Sequence, residues 1–125
     1  MADKYKILAV DDNSISLATI EQALKEKYEV TPLNSGVRAL QYLKKNRPDL
    51  ILLDVQMALK DGVETLREIR EMENCRDIPV IMLTSQSDKH TVMESFMVGA
   101  DNYILKPFVV QDLHERIESL LKKGR

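Results

Sequence analysis

A chain of 125 residues, 44% hydrophobic and 30% charged, has the size and balance of one globular domain with one hydrophobic core. Its 20 acidic and 18 basic residues leave a net charge of −2, which gives no electrostatic reason to expect direct nucleic-acid or membrane binding. Apolar runs such as residues 50–53 are far too short to cross a bilayer, and the single cysteine, Cys75, excludes an internal disulfide. The start, Met1-Ala2-Asp3-Lys4, lacks the apolar stretch of a signal peptide. A reducing, cytoplasmic setting is therefore expected. Residues 1–125 show no internal repeat or linker and are expected to form one domain.

Apolar, β-rich runs alternate with helix-period segments along the chain. Residues 7–10 predict a first strand that ends in Asp11 and Asp12. The spacing of Leu17, Ile20 and Leu24 predicts a helix over 13–27. Residues 28–33 predict a second strand, and Pro32 assigns it to a sheet edge, because a central strand would miss that backbone donor. Asn34 and Ser35 are both candidate caps for a helix bearing Val37, Leu40 and Leu43. Residues 50–53 are wholly apolar, as expected of a strand covered on both faces.

After a loop, Asp61 and Glu64 have the spacing of a capping box for a helix that carries Val63, Leu66 and Ile69. Residues 78–83 predict the fourth strand, ending at Thr84-Ser85, with Ser87 as cap of a helix over 88–98. Residues 102–105 predict a fifth strand. The last helix, over 109–122, shows the clearest stripe, formed by Leu113, Ile117, Leu120 and Leu121. Such βα repetition implies an α/β protein with a parallel sheet and helices on both faces.

In sheets of this kind ligands gather beyond the carboxyl ends of the strands. Those ends carry Asp11-Asp12, Asp54, Thr84-Ser85 and Lys106-Pro107. Paired aspartates after a strand are usually turn formers, and a strand-end threonine is usually a cap. Together at one sheet edge they point to chemistry instead. Two ionised carboxylates about 4 Å apart repel by roughly 4 kcal/mol at an effective dielectric near 20, so either a cation offsets them or one acid takes up a proton. Hard oxygen ligands suit Mg2+, and no Cys/His cluster competes. A carboxylate beside such an ion can act as a nucleophile toward phosphorus, with Lys106 and Thr84 binding the transferred oxygens.

The segments Ile7-Leu8-Ala9-Val10-Asp11-Asp12, Pro48-Asp49-Leu50-Ile51-Leu52-Leu53-Asp54, Leu83-Thr84-Ser85, Gly99-Ala100-Asp101 and Lys106-Pro107-Phe108, in this order, resemble the response-regulator receiver domain of two-component signalling over essentially the whole chain. The resemblance implies a three-layer, flavodoxin-like (βα)5 fold with strand order 2-1-3-4-5. It implies that Asp54 accepts the phosphoryl group. Asp11 and Asp12, with Asp54 and the backbone carbonyl of Gln56, would bind magnesium. Lys106 would pair with a phosphoryl oxygen, held by a cis bond to Pro107. Thr84 is implied as the switch hydroxyl, Tyr103 as the ring that turns inward on activation, and Gly62 as the glycine that closes the loop after Asp54.

The donor implied is a histidine kinase or histidine phosphotransfer protein, and the recipient of the signal a downstream effector protein or a fused output domain. The domain would be no enzyme toward outside substrates, only catalysing phosphotransfer and autodephosphorylation at its own Asp54. Gln56 and Gln86, two positions beyond Asp54 and Thr84, supply no strong base, so hydrolysis is expected to be slow to moderate. In the family the loop commonly reads Met-Pro, whereas Met57 here precedes Ala58; a less pre-ordered loop is expected.

Other classes fit less well. A flavin carrier shares the architecture but needs a hydroxyl- and glycine-rich phosphate loop, where Asp11-Asp12 would repel the phosphate. An aspartyl-phosphate phosphohydrolase usually carries a second aspartate where Gln56 stands. A degenerate, binding-only receiver is disfavoured because every site residue is present. His90 and His114 are read as solvated or structural, and the Met93, Phe96, Met97 cluster as core or, in part, as a partner surface.

Overall fold

The computed structural model describes residues 4–123, so Met1 to Asp3, where the sequence was read for a signal peptide, and Gly124 and Arg125 lie outside the described residues. Within them five strands, β1 (Lys6–Val10), β2 (Glu29–Leu33), β3 (Leu50–Leu53), β4 (Val80–Thr84) and β5 (Asn102–Leu105), alternate with five helices, α1 (Ser14–Leu24), α2 (Gly36–Leu43), α3 (Gly62–Glu71), α4 (Lys89–Val98) and α5 (Val110–Lys123). All strand pairs are parallel, in the order β2-β1-β3-β4-β5. β2 is an edge strand, so Pro32, opposite Ala9, leaves no inner ladder short of a donor.

The strict alternation of a strand divides the core between two faces. Ile7, Ala9, Leu50, Leu52, Ile81 and Leu83 pack with Leu17, Ile20 and Leu24 of α1 and Leu113, Ile117 and Leu121 of α5. Leu8, Val10, Ile51, Leu53, Val80 and Met82 pack on the other side with Ala39, Leu43, Val63, Leu66 and Ile69. Both faces of β1, β3 and β4 are covered, which is why these strands read as unbroken apolar runs. Each fully buried Leu or Ile contributes about 1.5–3 kcal/mol.

Several boundaries differ from the expectations, each for a local reason. β4 begins at Val80 because Pro79 has no N–H to give the ladder; Pro79 offers only its carbonyl, which accepts Ile51 N–H at 3.0 Å. α1 ends at Leu24, where the N–H groups of Lys27 and Tyr28 both turn back to the Leu24 carbonyl. Ser35 caps α2, and the buried face is Gly36, Ala39 and Leu43; Val37 is exposed. Asp88, not Ser87, caps α4, its carboxylate accepting the N–H and the hydroxyl of Thr91 at 3.0 and 2.8 Å. An ionised acceptor outcompetes a neutral hydroxyl for that position. The capping box of Asp61 and Glu64 is complete, with both reciprocal bonds formed.

Arg70 fastens α3 to the 99–101 turn. Its guanidinium donates to the carbonyls of Gly99 and Ile78 and pairs with Asp101 at 3.2 Å, while Asp101 also accepts Val80 N–H. The Gly99-Ala100-Asp101 segment is thus structural, with Gly99 at φ 124° closing α4. Cys75 is fully buried, and burial raises its thiol pKa, so it is no reactive thiol. His114 stacks on Tyr28 and its Nε2 bonds the Ala23 carbonyl, a structural role; exposed His90 has an acidic neighbour, Glu94, at 4.0 Å.

Candidate functional site

The order of the strands reverses between β1 and β3, so a crevice opens beyond their carboxyl ends. Asp11 follows β1 and is fully buried; Asp54 follows β3 and is 7% exposed. A backbone ladder holds both in place, because Asp54 N–H donates to Val10 O and Asp11 N–H to Leu33 O. Lys106, at the end of β5, reaches across and joins them. Its ammonium donates to Asp11 Oδ2, to Asp54 Oδ2 at 3.3 Å and to the Ser16 hydroxyl at 3.1 Å. The Lys106–Pro107 bond is cis.

The remaining oxygens are also held. Asp11 Oδ1 accepts Asn13 N–H at 3.0 Å, and Asp54 Oδ1 accepts Gln56 N–H at 3.2 Å. Burial pushes the Asp11 carboxyl above the ordinary range; the bonds from Lys106 and Asn13 pull it back, and the Asp54 charge pushes it up again. Asp12 is exposed, and its Oδ2 accepts the backbone N–H of Ala58 at 3.0 Å.

Thr84 is fully buried at the end of β4, next to β3. Its hydroxyl accepts Gln86 N–H at 3.2 Å, and the Gln86 carbonyl in turn accepts the Tyr103 hydroxyl at 2.8 Å. One peptide segment therefore links the candidate switch pair. Tyr103 is half-buried, and burial raises its phenol, with the charges of Asp88 and Asp54 adding to the effect. The two glutamine side chains are engaged as well: Ser85 donates to Gln56 Oε1 at 2.9 Å, and Gln86 donates to Asp88.

Gly62 sits where the loop returns to the sheet, its N–H on Val55 O at 2.8 Å. A Cβ there would press on the Asp54 carbonyl oxygen and stand 2.8 Å from the Asp54 carbonyl carbon. Gly62→Ala is therefore expected to cost about 1–3 kcal/mol of stability, because backbone has to move. Urea unfolding would measure this. In the same loop Leu59 is fully exposed at φ 70°, in a turn closed by Lys60 N–H on the Ala58 carbonyl at 2.8 Å. Such a conformation costs a leucine of order 1–3 kcal/mol and persists only where the surroundings impose it.

A family model described as the response regulator receiver domain matches residues 7–118. The chain belongs to the response regulator receiver domain family. The transcriptional regulatory protein PrrA of Mycobacterium tuberculosis is 38% identical over 119 residues, covering 94% of this chain and 50% of PrrA. The chain thus spans about half the length of the curated relatives it matches. A putative response regulator from Chloroflexus aurantiacus superposes with a TM-score of 0.91 at 33% identity, covering 96% of this chain and 99% of its own. The receiver domain of sensor histidine kinase PA1611 from Pseudomonas aeruginosa, solved with magnesium coordinated in its active-site cleft, gives a TM-score of 0.89 at 31% identity, over 95% and 98% of the two chains. No helix among the described residues of this receiver is long and apolar enough to cross a membrane.

Of the residues singled out from sequence, Asp11, Asp54 and Lys106 are in direct contact, Gln56 N–H bonds Asp54, and the Thr84 carbonyl accepts Lys106 N–H at 2.9 Å, while the Thr84 and Tyr103 hydroxyls both bond Gln86. Asp12 stands on the same edge, tied to the loop. Among the described residues no three carboxylate, thiol or imidazole groups form a ready-made metal cage. An ion here would draw on backbone oxygen and water besides carboxylates. That all-oxygen, partly hydrated set is what magnesium accepts, and the net negative charge of the site favours a divalent cation. Sequence reasoning missed Ser16 and Ala58. Ser16 carries no motif, only a place in the first turn after Asp12, and a backbone amide leaves no mark in residue identity.

Proposed function

We propose that this receiver domain accepts a phosphoryl group on Asp54, in a magnesium-dependent step, from a phosphohistidine on a histidine kinase or histidine phosphotransfer protein. The observation that carries this reading is the Lys106 ammonium bridging Asp11 and Asp54 at the carboxyl ends of the strands. An oxygen of Asp54 attacks phosphorus; the new P–O bond forms as the P–N bond breaks, and the imidazole leaves with its electron pair and takes up a proton. Lys106 is placed to follow the oxygens of the transferring group, and the Thr84 hydroxyl to receive another. Asp11, Asp12, Asp54 and the Gln56 carbonyl would hold magnesium, which would supply the charge neutralisation that the acids and the phosphoryl oxygens both require. Hydrolysis reverses the modification: water attacks the same phosphorus and the P–O bond to Asp54 breaks. Inorganic phosphate leaves with the water oxygen, the water's proton is lost to solvent, and the Asp54 carboxylate is regenerated.

The phosphoryl group adds about −1.5 to −2 charge. Thr84, drawn to it, would take the Gln86 amide along, and Gln86 would carry the change to Tyr103. The face around β5 and α4 then reads out the switch. Met93, Phe96, Met97 and Leu105 are all exposed there, a surface for an effector or a fused output domain. A cleft of about 430 Å³ beside Lys106, lined by Ser16, Ser85 and Phe108 and rimmed by exposed Ile15 and Val110, supports access for a protein donor. Residues 1–125 would then be one receiver module, catalytic only on itself and working in the cytoplasm.

Incubation with a small acyl phosphate and Mg2+ is expected to give one covalent phosphoryl adduct, seen by intact-mass measurement and released by hydroxylamine. Asp54→Asn should give none. An adduct of equal yield in that variant would overturn the assignment.

A further inference from the structure

We propose that the backbone N–H of Ala58 is a positioning group for the metal site, orienting the Asp12 carboxylate toward the ion. The inference rests on the magnesium reading above and adds to it a contact specific to this chain. Asp12 is exposed, and an exposed carboxylate at the mouth of a site is free to turn among rotamers. Here the Ala58 N–H holds Oδ2 at 3.0 Å, which fixes the plane of the group and leaves Oδ1 for coordination. Metal affinity depends on such outer contacts, because they set the ligand's direction before the ion arrives.

Position 58 is where the family commonly has proline, a residue with no N–H. The sequence alone suggests that alanine loosens the loop. The geometry points the other way: alanine frees a donor, and the donor is used. The loop is pinned on both sides of this contact. Met57 is buried in the core, and Lys60 is ion-paired with Glu68 of α3. The Ala58 carbonyl also receives Lys60 N–H, which keeps Leu59 in its left-handed turn. A loop so held presents the amide to Asp12 from a fixed point, and the same loop carries Gln56, whose carbonyl is the proposed backbone ligand. One hydrogen bond therefore registers the acid after β1 against the loop after β3.

The test is magnesium titration of the full chain by calorimetry, together with amide exchange at position 58. Ala58→Pro removes the donor with a residue that this fold commonly carries there. It is expected to weaken Mg2+ binding by about tenfold. Ala58→Ser keeps the N–H and is expected to bind within twofold of the native chain. The Ala58 amide should exchange slowly in the metal-free protein and quickly in Asp12→Ala. Equal affinity or tighter binding in Ala58→Pro overturns the proposal, as does an equal loss in Ala58→Ser. If the native chain binds no Mg2+ at all, the magnesium reading falls and takes this inference with it, so the two failures are told apart.

Discussion

Lys106→Ala is expected to slow phosphoryl transfer to Asp54 by about 100-fold, the usual loss when one preorganised donor to a developing oxyanion is removed. The same change should strengthen magnesium binding. The ammonium lies against both Asp11 and Asp54, so it repels a divalent cation at those oxygens and competes for them. Removing it leaves the acids free for the ion. Stability of the metal-free protein should move the other way, because two largely buried carboxylates lose their counter-ion. Breaking one partner out of such a buried arrangement costs up to about 3–5 kcal/mol, and saturating Mg2+ should restore part of it. Single-turnover labelling, calorimetric titration and urea unfolding measure the three quantities. A lysine with only a structural role would lower stability and leave the transfer rate per folded molecule unchanged; that result would remove Lys106 from the chemistry.

These opposed effects arise because one side chain serves two states. Lys106 offsets the charge of the acids; in the proposed reaction its partner would become the phosphoryl group. Ser16 at 3.1 Å gives the ammonium a neutral third partner beside the two acids. The proposed switch has a similar economy. Thr84 and Tyr103 do not touch through their side chains in any recorded bond, yet each is bonded to the backbone of Gln86. A displacement of the Gln86 backbone would be felt at both ends, which gives the proposed coupling a physical carrier.

Much of this was legible in the sequence, and the reasons are specific. The strands β1, β3 and β4 are covered on both faces, so their apolar runs stand out; Pro32 marked the edge; Asp61 and Glu64 announced a capping box. The strand ends are fixed by the end of each run, so Asp11, Asp54, Thr84 and Lys106 could be placed on one edge before any coordinates. What stayed hidden depends on direction and on backbone groups. Val37 has helical spacing with Leu40 but lies just past the buried sector of α2, and a short helix tolerates that shift. Phe96 and Met97 have core composition but face outward, because Ser95 is the residue that α4 buries, its hydroxyl satisfied by the Thr91 carbonyl at 2.8 Å. The Ala58 contact could not be seen at all, since residue type suggested only the loss of a ring.

Asp11→Asn is expected to make the metal-free protein more stable at neutral pH, by about 0.5–2 kcal/mol, in the range found when a strained functional group is relaxed. Asp11 is fully buried, and its carboxyl is raised by that burial and, to a smaller degree, by Asp54, despite the bonds from Lys106 and Asn13. A raised value means that the folded state holds the proton more tightly than the unfolded chain. Below the unfolded value of 3.8 both states are protonated and Asp11 carries no penalty. As the pH climbs past that value the unfolded chain releases its proton first, so stability falls, and the loss is complete above the folded pKa. Asparagine removes this dependence, and its advantage over the native chain should shrink as the pH is lowered into that window. Magnesium should reverse the ranking. An ion that binds only the folded native site adds about 2.7 kcal/mol at a hundred times its dissociation constant, and the asparagine variant, short of one anionic ligand, gains less. Urea unfolding at several pH values, with and without Mg2+, reads all of this. If Asp11→Asn is destabilising without metal at neutral pH, the carboxylate is a structural support, and the view of this site as strained acids awaiting a cation is wrong.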